Sequence, residues 1–411
     1  MKEGAHGIKV PVKMKFNIAQ RLLLILLIFV LWLSACNSIT TTPPVVAMTT
    51  PTIQVMAGET ASSLPQARTD CASRYPSIPE ERKNWPKEEW TVSSLEEHCL
   101  DRAKVEEAVR YFEQNYVTSS LLIVRHGELV YEKYFFPFFK PERRVPIFSI
   151  TKSFLSALVG IAMDKGQLDS LDHKVIEYFP EYFYPTTDPR MSQATLRHLL
   201  TMSTGFLWLE DGSIEERWME SGNLVEASIN LKLLEKPGTG FTYSSANTQL
   251  MSAILTRIVN EPLKDYAQQN LFSPLGISAK DWFWGVDDQG YYLGGWGMNL
   301  RPRDLARFGY LYLNDGYWDG RQVVSKEWVR QSTSLQIDTS LDVDYGYLWW
   351  VHSLRELTIF EARGYGGQSI YIVPDLDMVV VTTANVEGRD AGAPDPAPVI
   401  YEWIVKSVTD R

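Results

Sequence analysis

The sequence is poor in positive charge, in histidine and in repeated segments. Its 411 residues include 40 lysines and arginines against 50 aspartates and glutamates, which gives a formal net charge of −10. This balance argues against nucleic acid as the main partner. The six histidines are scattered without the spacing of metal ligands, so we expect neither a metal nor another cofactor. A hydrophobic fraction of 45% excludes a disordered chain and allows one large domain or two ordinary ones.

Long apolar runs are also scarce, and the one that stands out lies near the N-terminus. Residues 22–33 follow five basic residues and are too short for a comfortable membrane span, but they suit the core of a signal peptide. The run ends in Leu33-Ser34-Ala35-Cys36, which resembles the bacterial lipoprotein cleavage box. We therefore predict that residues 1–35 are removed and that Cys36 carries a lipid. The alternative is an uncleaved anchor helix.

Cysteine is rare, with three residues in the whole chain. With a cleaved or an uncleaved N-terminal segment, the domain is expected outside the cytoplasm in the cell envelope, where Cys71 and Cys99 could form a disulfide. Two unpaired buried thiols are the alternative. Asn37 replaces the aspartate that often marks retention in the inner membrane, which favours the outer membrane in a Gram-negative source.

The chain divides by composition into four parts. After the signal peptide, residues 36–69 are rich in threonine and proline and predict a flexible tether. Residues 70–99 are rich in proline and tryptophan and predict an extension wrapped over the domain surface. The folded domain is predicted to cover residues 100–411.

The periodicity of that domain predicts an α+β fold. Residues 100–115 have helical spacing, and a hairpin is predicted around a turn that contains His126 and Gly127. Helical patterns dominate from residue 151 to about 335, and β-branched strands return after residue 357. A closing helix is expected near the C-terminus. Strands at both ends with helices between them predict one sheet lobe joined to a largely helical lobe, with a cleft between the two.

Ser149 and Lys152 are three residues apart at the start of an apolar helical pattern that ends near Gly166. Residues at this spacing share a helix face, so the lysine amine can reach the serine hydroxyl. A serine becomes a good nucleophile when a base takes its proton, and the start of a helix favours the negative charge that then develops. The alternative is a capping serine beside a solvated lysine, because this short motif also arises by chance.

Two later segments can complete an active site. Tyr243, between a glycine-containing loop and a second amphipathic helix, could relay the serine proton to a leaving group. Gly364, Gly366 and Gly367 precede a strand, where backbone can approach a ligand and lend an N–H to an oxyanion hole. Taken singly, Tyr243 could be a structural residue, and the glycines could form an ordinary turn. Their order along the chain favours a catalytic site.

With these residues in place, the sequence resembles the penicillin-recognising serine hydrolases, the family of class C β-lactamases, D,D-peptidases and related esterases and amidases. The resemblance extends over about residues 100–405 and includes the segments 194–206 and 299–320. It is most similar to the branch of 6-aminohexanoate-dimer hydrolases and esterases. It implies a beta-lactamase/transpeptidase-like fold, in which an antiparallel sheet with flanking helices is joined to a largely helical lobe.

The resemblance also implies residue roles. Ser149 matches the nucleophile, Lys152 its base and Tyr243 the tyrosine of the second motif. The backbone amides of Ser149 and Gln368 would form the oxyanion hole. Substrate would be bound by a group of residues from the second and third motifs and a glycine-flanked tryptophan: Ser245, Tyr365, Gly366, Gly367 and Trp296.

Two positions depart from the family's usual motifs. Tyr365 stands where the third motif often has a charged lysine or a histidine, and Ser245 stands where the second motif often has asparagine. Both changes weaken the case for a β-lactamase or a penicillin-binding D,D-peptidase, although Arg363 on the same strand face could substitute for the lysine. They favour a hydrolase of small amides or esters that forms an acyl-serine intermediate. A non-catalytic, lipid-anchored relative is the other alternative.

Three tryptophans and one histidine lie between the motifs. Trp208, Trp218 and Trp296 fall in loop-like segments and either line the substrate pocket or pack the helical lobe. His198 is expected to be a helix or core residue rather than a catalytic one.

Overall fold

The computed structural model describes residue 82 and residues 85–115, 117–354, 357–386 and 395–410. The predicted signal peptide, the tether, Cys36 and Cys71 lie outside these residues, and so does most of the segment 70–84. Those predictions, and the domain boundaries drawn from them, stay predictions. Among the described helices, none combines the length and the apolar character needed to cross a membrane.

Helices occupy much of the described chain. The α-helices in the described residues are α1 Arg102–Asn115, α2 Ile150–Asp164, α3 Val175–Tyr178, α4 Leu196–Leu200, α5 Ser213–Met219, α6 Leu224–Ile229, α7 Ser245–Val259, α8 Leu263–Ala267, α9 Pro302–Leu313, α10 Lys326–Ser332 and α11 Ala397–Val399. Two π-helical turns, Gln268–Phe272 and Ile400–Ile404, continue α8 and α11. Short 3₁₀ turns lie at Glu96–His98, Pro180–Tyr182, Pro189–Gln193, Pro374–Leu376 and Val405–Ser407.

The strands of the described residues are β1 Thr118–Arg125, β2 Glu128–Tyr134, β3 Val145–Pro146, β4 Phe283–Trp284, β5 Met298–Leu300, β6 Tyr317–Trp318, β7 Arg321–Gln322, β8 Asp344–Tyr345, β9 Trp350–Leu354, β10 Leu357–Gly364, β11 Gln368–Val373 and β12 Met378–Ala384. Seven of them form an antiparallel sheet in the order β2-β1-β12-β11-β10-β9-β8. The strands β3, β5 and β4 form a small second sheet, and β6 pairs with β7.

The predicted hairpin is confirmed, and its turn explains two residues. β1 and β2 are joined by His126 at φ 51° and Gly127 at φ 82°. A two-residue hairpin of this kind needs left-handed backbone at both positions. Glycine is required at the second position for another reason as well, because a Cβ at Gly127 would lie 2.5 Å from the Tyr310 hydroxyl oxygen.

The large sheet is buried on both faces because helices cover each one. Along β1, Leu121 and Ile123 pack into a core with α1 and the C-terminal helical turns, while Leu122 and Val124 pack into a larger core with α2 and α9. This alternation follows from the period of two of a strand. The predicted helix at 100–115 is confirmed as α1, and the face expected to be apolar is the face that is buried.

The helical lobe is organised around α7, which contacts α2, α3, α4, α6 and α8. Helix α2 also contacts β10 and β11, so it joins the sheet to the helical lobe. One apolar face was expected for α2, but it is buried almost all round, from Ile150 to Ala162. Helix α2 is enclosed between the sheet and the helical lobe, so no side of it faces solvent, which explains the difference. The predicted α+β arrangement of a sheet, flanking helices and a helical lobe is confirmed.

Candidate active site

Ser149 lies at the point where the chain leaves β3 and enters α2. It is the residue before the helix, with φ −67° and ψ −8°, and it follows Phe148, whose φ of 47° is in the left-handed region. Non-glycine residues rarely take this conformation, and such strain is concentrated at functional sites. The sharp turn leaves Ser149 half-buried at the edge of a cleft, next to the positive end of the helix dipole.

Lys152 lies one helical turn later, and its side chain is buried beneath Ser149. The residue is 1% exposed, and its Nζ lies 2.9 Å from Ser149 Oγ, 3.2 Å from Ser245 Oγ and 2.9 Å from the carbonyl oxygen of Gly295. The structure therefore brings Ser149 and Lys152 into contact, as their spacing in the sequence predicted. The alternative of a solvated lysine is excluded in this structure.

Tyr243 immediately precedes the residues that cap and begin α7. Its ring faces Lys152, with Nζ 4.8 Å from the ring centroid, and it stacks on Trp350 at a centroid distance of 5.5 Å. Tyr243 and Ser149 both line the cleft. The structure thus places the predicted tyrosine against the serine–lysine pair, and the relay role of its hydroxyl stays a prediction.

Glu210 is a site residue that sequence reasoning missed. Its Oε1 accepts a hydrogen bond from Ser245 Oγ, and its Oε2 accepts one from the Ser245 backbone N–H at 3.2 Å and one from the Trp208 indole. The same Oε1 lies 3.8 Å from Lys152 Nζ. Glu210 lies in a loop before α5, without periodicity or motif, and the sequence offers no signal that separates it from its acidic neighbours.

The third predicted segment forms the turn between β10 and β11. Gly366 and Gly367 have φ of 78° and 95°, which favours glycine. Gly364 lies close to the segment that precedes Ser149, because a Cβ at Gly364 would be 2.4 Å from the Ile147 carbonyl oxygen. The ring of Tyr365 meets that of Phe148 at 5.6 Å. The structure therefore brings this turn beside Ser149, as the sequence predicted.

Gln368 begins β11, opposite Gly364 in the hairpin register. Its side chain is buried and bonded to the backbone of Ala384, donating to the carbonyl at 2.9 Å and accepting from the N–H at 3.0 Å. These two bonds hold the start of β11 in place. The use of its backbone N–H in an oxyanion hole stays a prediction.

Arg363 does not offer a free cation to the cleft. Its guanidinium pairs with the buried Glu361, lies 3.9 Å from Asp395 and sits 5.5 Å from the ring centroid of Trp350. Burial raises the pKa of Glu361 to about 7 despite this pairing. At neutral pH and above, the positive charge of Arg363 is therefore engaged by carboxylates of the chain itself.

The cleft has a volume of about 720 Å³ and is lined by catalytic candidates, aromatic residues and acids: Phe148, Ser149, Glu210, Asp211, Gly212, Glu215, Glu216, Met219, Tyr243, Ser245, Gly295, Trp296, Trp350, Arg363, Gly364 and Tyr365. Four of these residues are carboxylates. Burial, together with the nearby Glu210, raises the pKa of Glu215. The lining is therefore mostly apolar at its walls and strongly acidic on the side of α5.

The three tryptophans divide between lining and packing. Trp296 lines the cleft and meets Trp218 edge-on at 5.8 Å. Trp218 is buried, with its indole bonded to Ser228, and Trp208 packs against it at 5.2 Å. His198 lies in α4, where its Nδ1 accepts a hydrogen bond from the Thr195 backbone N–H, so it helps to cap the helix as a helix residue.

Cys99 is disulfide-bonded. Its predicted partner, Cys71, lies outside the described residues, so the pairing stays a prediction. In the part of the chain that the structure describes, no group of three or more histidine, cysteine, aspartate or glutamate side chains is arranged to hold a metal ion.

Comparison with known proteins agrees with this geometry. The model of the beta-lactamase family matches residues 94–402, which is most of the chain. The chain belongs to the beta-lactamase family. This match contains Ser149, Lys152, Tyr243 and the turn at Tyr365, and it confirms the resemblance that the sequence motifs indicated.

Several relatives within this family are named as hydrolases. The 6-aminohexanoate-dimer hydrolase of Paenarthrobacter ureafaciens is 27% identical over 288 residues, covering 65% of this chain and 72% of that protein. Esterase EstB of Burkholderia gladioli is 27% identical over 185 residues, covering 40% of this chain and 47% of that protein. A solved D-stereospecific amidohydrolase from Streptomyces matches with a TM-score of 0.59 at 16% identity, covering 74% of this chain and 99% of that one. At this identity, the solved structure supports the beta-lactamase/transpeptidase-like fold alone.

Proposed function

We propose that the protein is a serine hydrolase that cleaves amide or ester bonds through an acyl-enzyme on Ser149. The observation that carries this proposal is the buried amine of Lys152, which lies 2.9 Å from Ser149 Oγ at a helix start that opens into the cleft. A buried lysine beside a serine is one of the arrangements in which an adjacent base activates a serine nucleophile. The names of the relatives support the same class of reaction.

The proposed reaction has two steps. Lys152 takes the proton of Ser149 as the serine oxygen attacks the substrate carbonyl, and the backbone N–H groups of Ser149 and Gln368 stabilise the oxyanion. Tyr243 helps to pass the proton to the leaving group, whose bond to the carbonyl carbon breaks. Water then attacks the acyl-serine ester, which releases the acid and restores the Ser149 hydroxyl.

The charges of the cleft favour neutral or cationic substrates. Glu210, Asp211, Glu215 and Glu216 line it, and Arg363 is engaged by Glu361. A carboxylate-bearing substrate, such as a penicillin or a peptide with a free C-terminus, would meet repulsion there with little compensation. This supports a small amide or ester hydrolase over a β-lactamase or a D,D-peptidase. Attachment to a membrane through a lipid on Cys36 is proposed on sequence grounds alone.

The test uses the full-length chain, as wild type and as Ser149→Ala, with a fluorophosphonate probe and with p-nitrophenyl acetate. We expect one adduct on Ser149 by mass spectrometry, and turnover that is lost in Ser149→Ala. Ser153→Ala is the matched control, since Ser153 lies on the same helix but donates to the Leu348 carbonyl at 2.8 Å, away from the cleft. If the folded wild type is neither labelled nor active, the protein is a non-catalytic member of the family. Stable acylation by benzylpenicillin would instead indicate a penicillin-binding enzyme.

A further inference from the structure

Behind the serine–lysine pair, three groups form a continuous hydrogen-bonded line. Lys152 Nζ donates to Ser245 Oγ at 3.2 Å, and Ser245 Oγ donates to Glu210 Oε1. Glu210 is fixed by two further donors, the backbone N–H of Ser245 and the indole of Trp208. A carboxylate held by three donors, one of which is bonded to the base of the reaction, is a defined part of the site.

This carboxylate creates a difficulty for a lysine that acts as a base. Glu210 Oε1 lies 3.8 Å from Lys152 Nζ, and the lysine is buried. At that distance, an ammonium and a carboxylate attract each other. An ammonium has no lone pair and cannot take the proton of Ser149. The site therefore needs a route by which the lysine loses a proton.

We propose that Glu210 is a positioning residue that takes a proton from Lys152 through the hydroxyl of Ser245, so that the amine is neutral when Ser149 reacts. An N–H bond of Lys152 breaks as its proton moves to Ser245 Oγ, and the original Ser245 proton moves to Glu210 Oε1. An ammonium and a carboxylate become a neutral amine and a carboxylic acid, with no proton exchanged with solvent. Rotation about the Cε–Nζ bond then turns the lone pair of Lys152 toward Ser149. This inference rests on the proposed function.

The residue type at position 245 supports the relay. A hydroxyl can accept a proton on its oxygen while it releases its own, so it conducts a proton without moving its heavy atoms. An asparagine amide, which the second motif of the family often has here, accepts and donates through different atoms and does not transfer a proton this way. A Cβ at Gly295 would lie 2.8 Å from Ser245 Oγ, so the backbone of Gly295 closes tightly over this hydroxyl.

The charged and titratable groups around Glu210 come from α2, from its own loop and α5, from the segment before α7, and from β8. Lys152 faces it from α2, while Asp211 and Glu215 lie on its own loop and on α5. Tyr243 precedes α7. Burial raises the pKa of Tyr345 of β8, and the charge of Glu210 adds to this effect. Apart from Lys152, these neighbours are acidic or neutral, so Lys152 is the one cation of this group.

The test is the pH dependence of kcat/KM for the full-length chain. Glu210→Gln keeps the size and can still accept from Ser245, but it cannot hold the proton. Lys152 must then lose its proton to solvent, so we expect the acid limb to move to higher pH by at least about one unit. At neutral pH, kcat should fall at least about tenfold, while KM changes less than about twofold. Ser245→Ala removes the route but keeps Glu210 as the proton acceptor, so it should lower kcat at neutral pH with the acid limb in place, and Ser245→Thr, which restores a hydroxyl, should restore kcat.

Glu220→Gln is the matched control, because Glu220 follows α5 and does not line the cleft, and its profile should match the wild type. If the wild type shows Ser149-dependent turnover and Glu210→Gln leaves the acid limb in place, or Ser245→Ala keeps the full kcat, the relay is refuted and the hydrolase stands. A uniform loss of kcat/KM at every pH in Glu210→Gln refutes the relay equally. If the wild type shows no Ser149-dependent turnover, the proposed function itself fails. Should Glu210→Gln not fold, the kcat of Ser245→Ala relative to that of Ser245→Thr decides.

Discussion

Replacement of Glu361 by glutamine should stabilise the protein at alkaline pH. Glu361 lies in β10, its side chain is 1% exposed, and its Oε1 pairs with Arg363. Its Oε2 is buried and makes no hydrogen bond within the described residues. Removing a carboxylate from water costs more than this one-sided pairing returns, which is why the pKa of Glu361 is raised to about 7.

The size and sign of the effect follow from proton linkage. A carboxyl whose pKa rises on folding from 4.5 to about 7 binds its proton more tightly in the folded state. Unfolding then releases a proton, so stability falls as pH rises through this window. A pKa change of this size lowers the free energy of unfolding by about 3 kcal/mol, at about 1.36 kcal/mol per pKa unit. The glutamine variant has no such dependence, so it should equal the wild type near pH 4.5 and exceed it by about 3 kcal/mol near pH 8.

The assay is urea unfolding of both proteins, followed by tryptophan fluorescence at several pH values between these limits. Taking the difference between the two proteins cancels the contribution of titrating groups far from Glu361. His352 Nε2 lies 3.9 Å from Glu361 Oε1, but burial lowers the pKa of His352 to about 4, so it is mostly neutral in the folded protein across this window. Glu402→Gln is the control, since Glu402 is an exposed carboxylate that pairs with Lys406 and is not among the charges that act on Glu361, so it should show no comparable gain in stability with pH. This account of Glu361 is refuted if the gain in the free energy of unfolding from Glu361→Gln does not grow with pH, or if the wild type is the more stable protein at pH 8.

Two further predictions concern the nucleophile helix and the site tyrosine. Gly160→Ala should destabilise the protein by about 1–3 kcal/mol in urea unfolding, because the new Cβ would lie 2.3 Å from the buried Trp328 ring. A stabilised variant would mean that helix propensity outweighs the clash. Tyr243→Phe should keep the stack on Trp350 and the melting temperature but lower kcat by about 10²- to 10⁴-fold. Unchanged kcat would show that the proton reaches the leaving group without this hydroxyl.

The parts of the site that are local in sequence could be predicted. Ser149 and Lys152 are one helical turn apart, so helix geometry alone brings their side chains together. The hairpin turn at Gly127 and the turn at Gly366 and Gly367 were also predictable, because left-handed backbone restricts those positions to few residue types. In each case, the constraint lies within a few residues of the feature it determines.

The parts that depend on tertiary contact could not be predicted. Glu210 is brought to Ser245 by the path of a loop, and neither residue carries a signal of the other. The pairing of Arg363 with Glu361 was missed because strand alternation shows that they share a face, but not that both are enclosed there. The burial of α2 on every side likewise depends on the lobe that packs over it. Burial and partner choice at long range are set by packing, which periodicity does not encode.

The number of hydrogens on Lys152 connects the geometry of the site to its chemistry. An ammonium has three N–H donors, and the structure provides three oxygens for them, on Ser149, Ser245 and Gly295. In that state, Ser149 only accepts a hydrogen bond and has no base. A neutral amine keeps two donors, which Ser245 and Gly295 can accept, and its lone pair is left for the Ser149 proton. The same three contacts therefore serve a resting ammonium and a reactive amine, and the step between them is the loss of one proton toward Glu210.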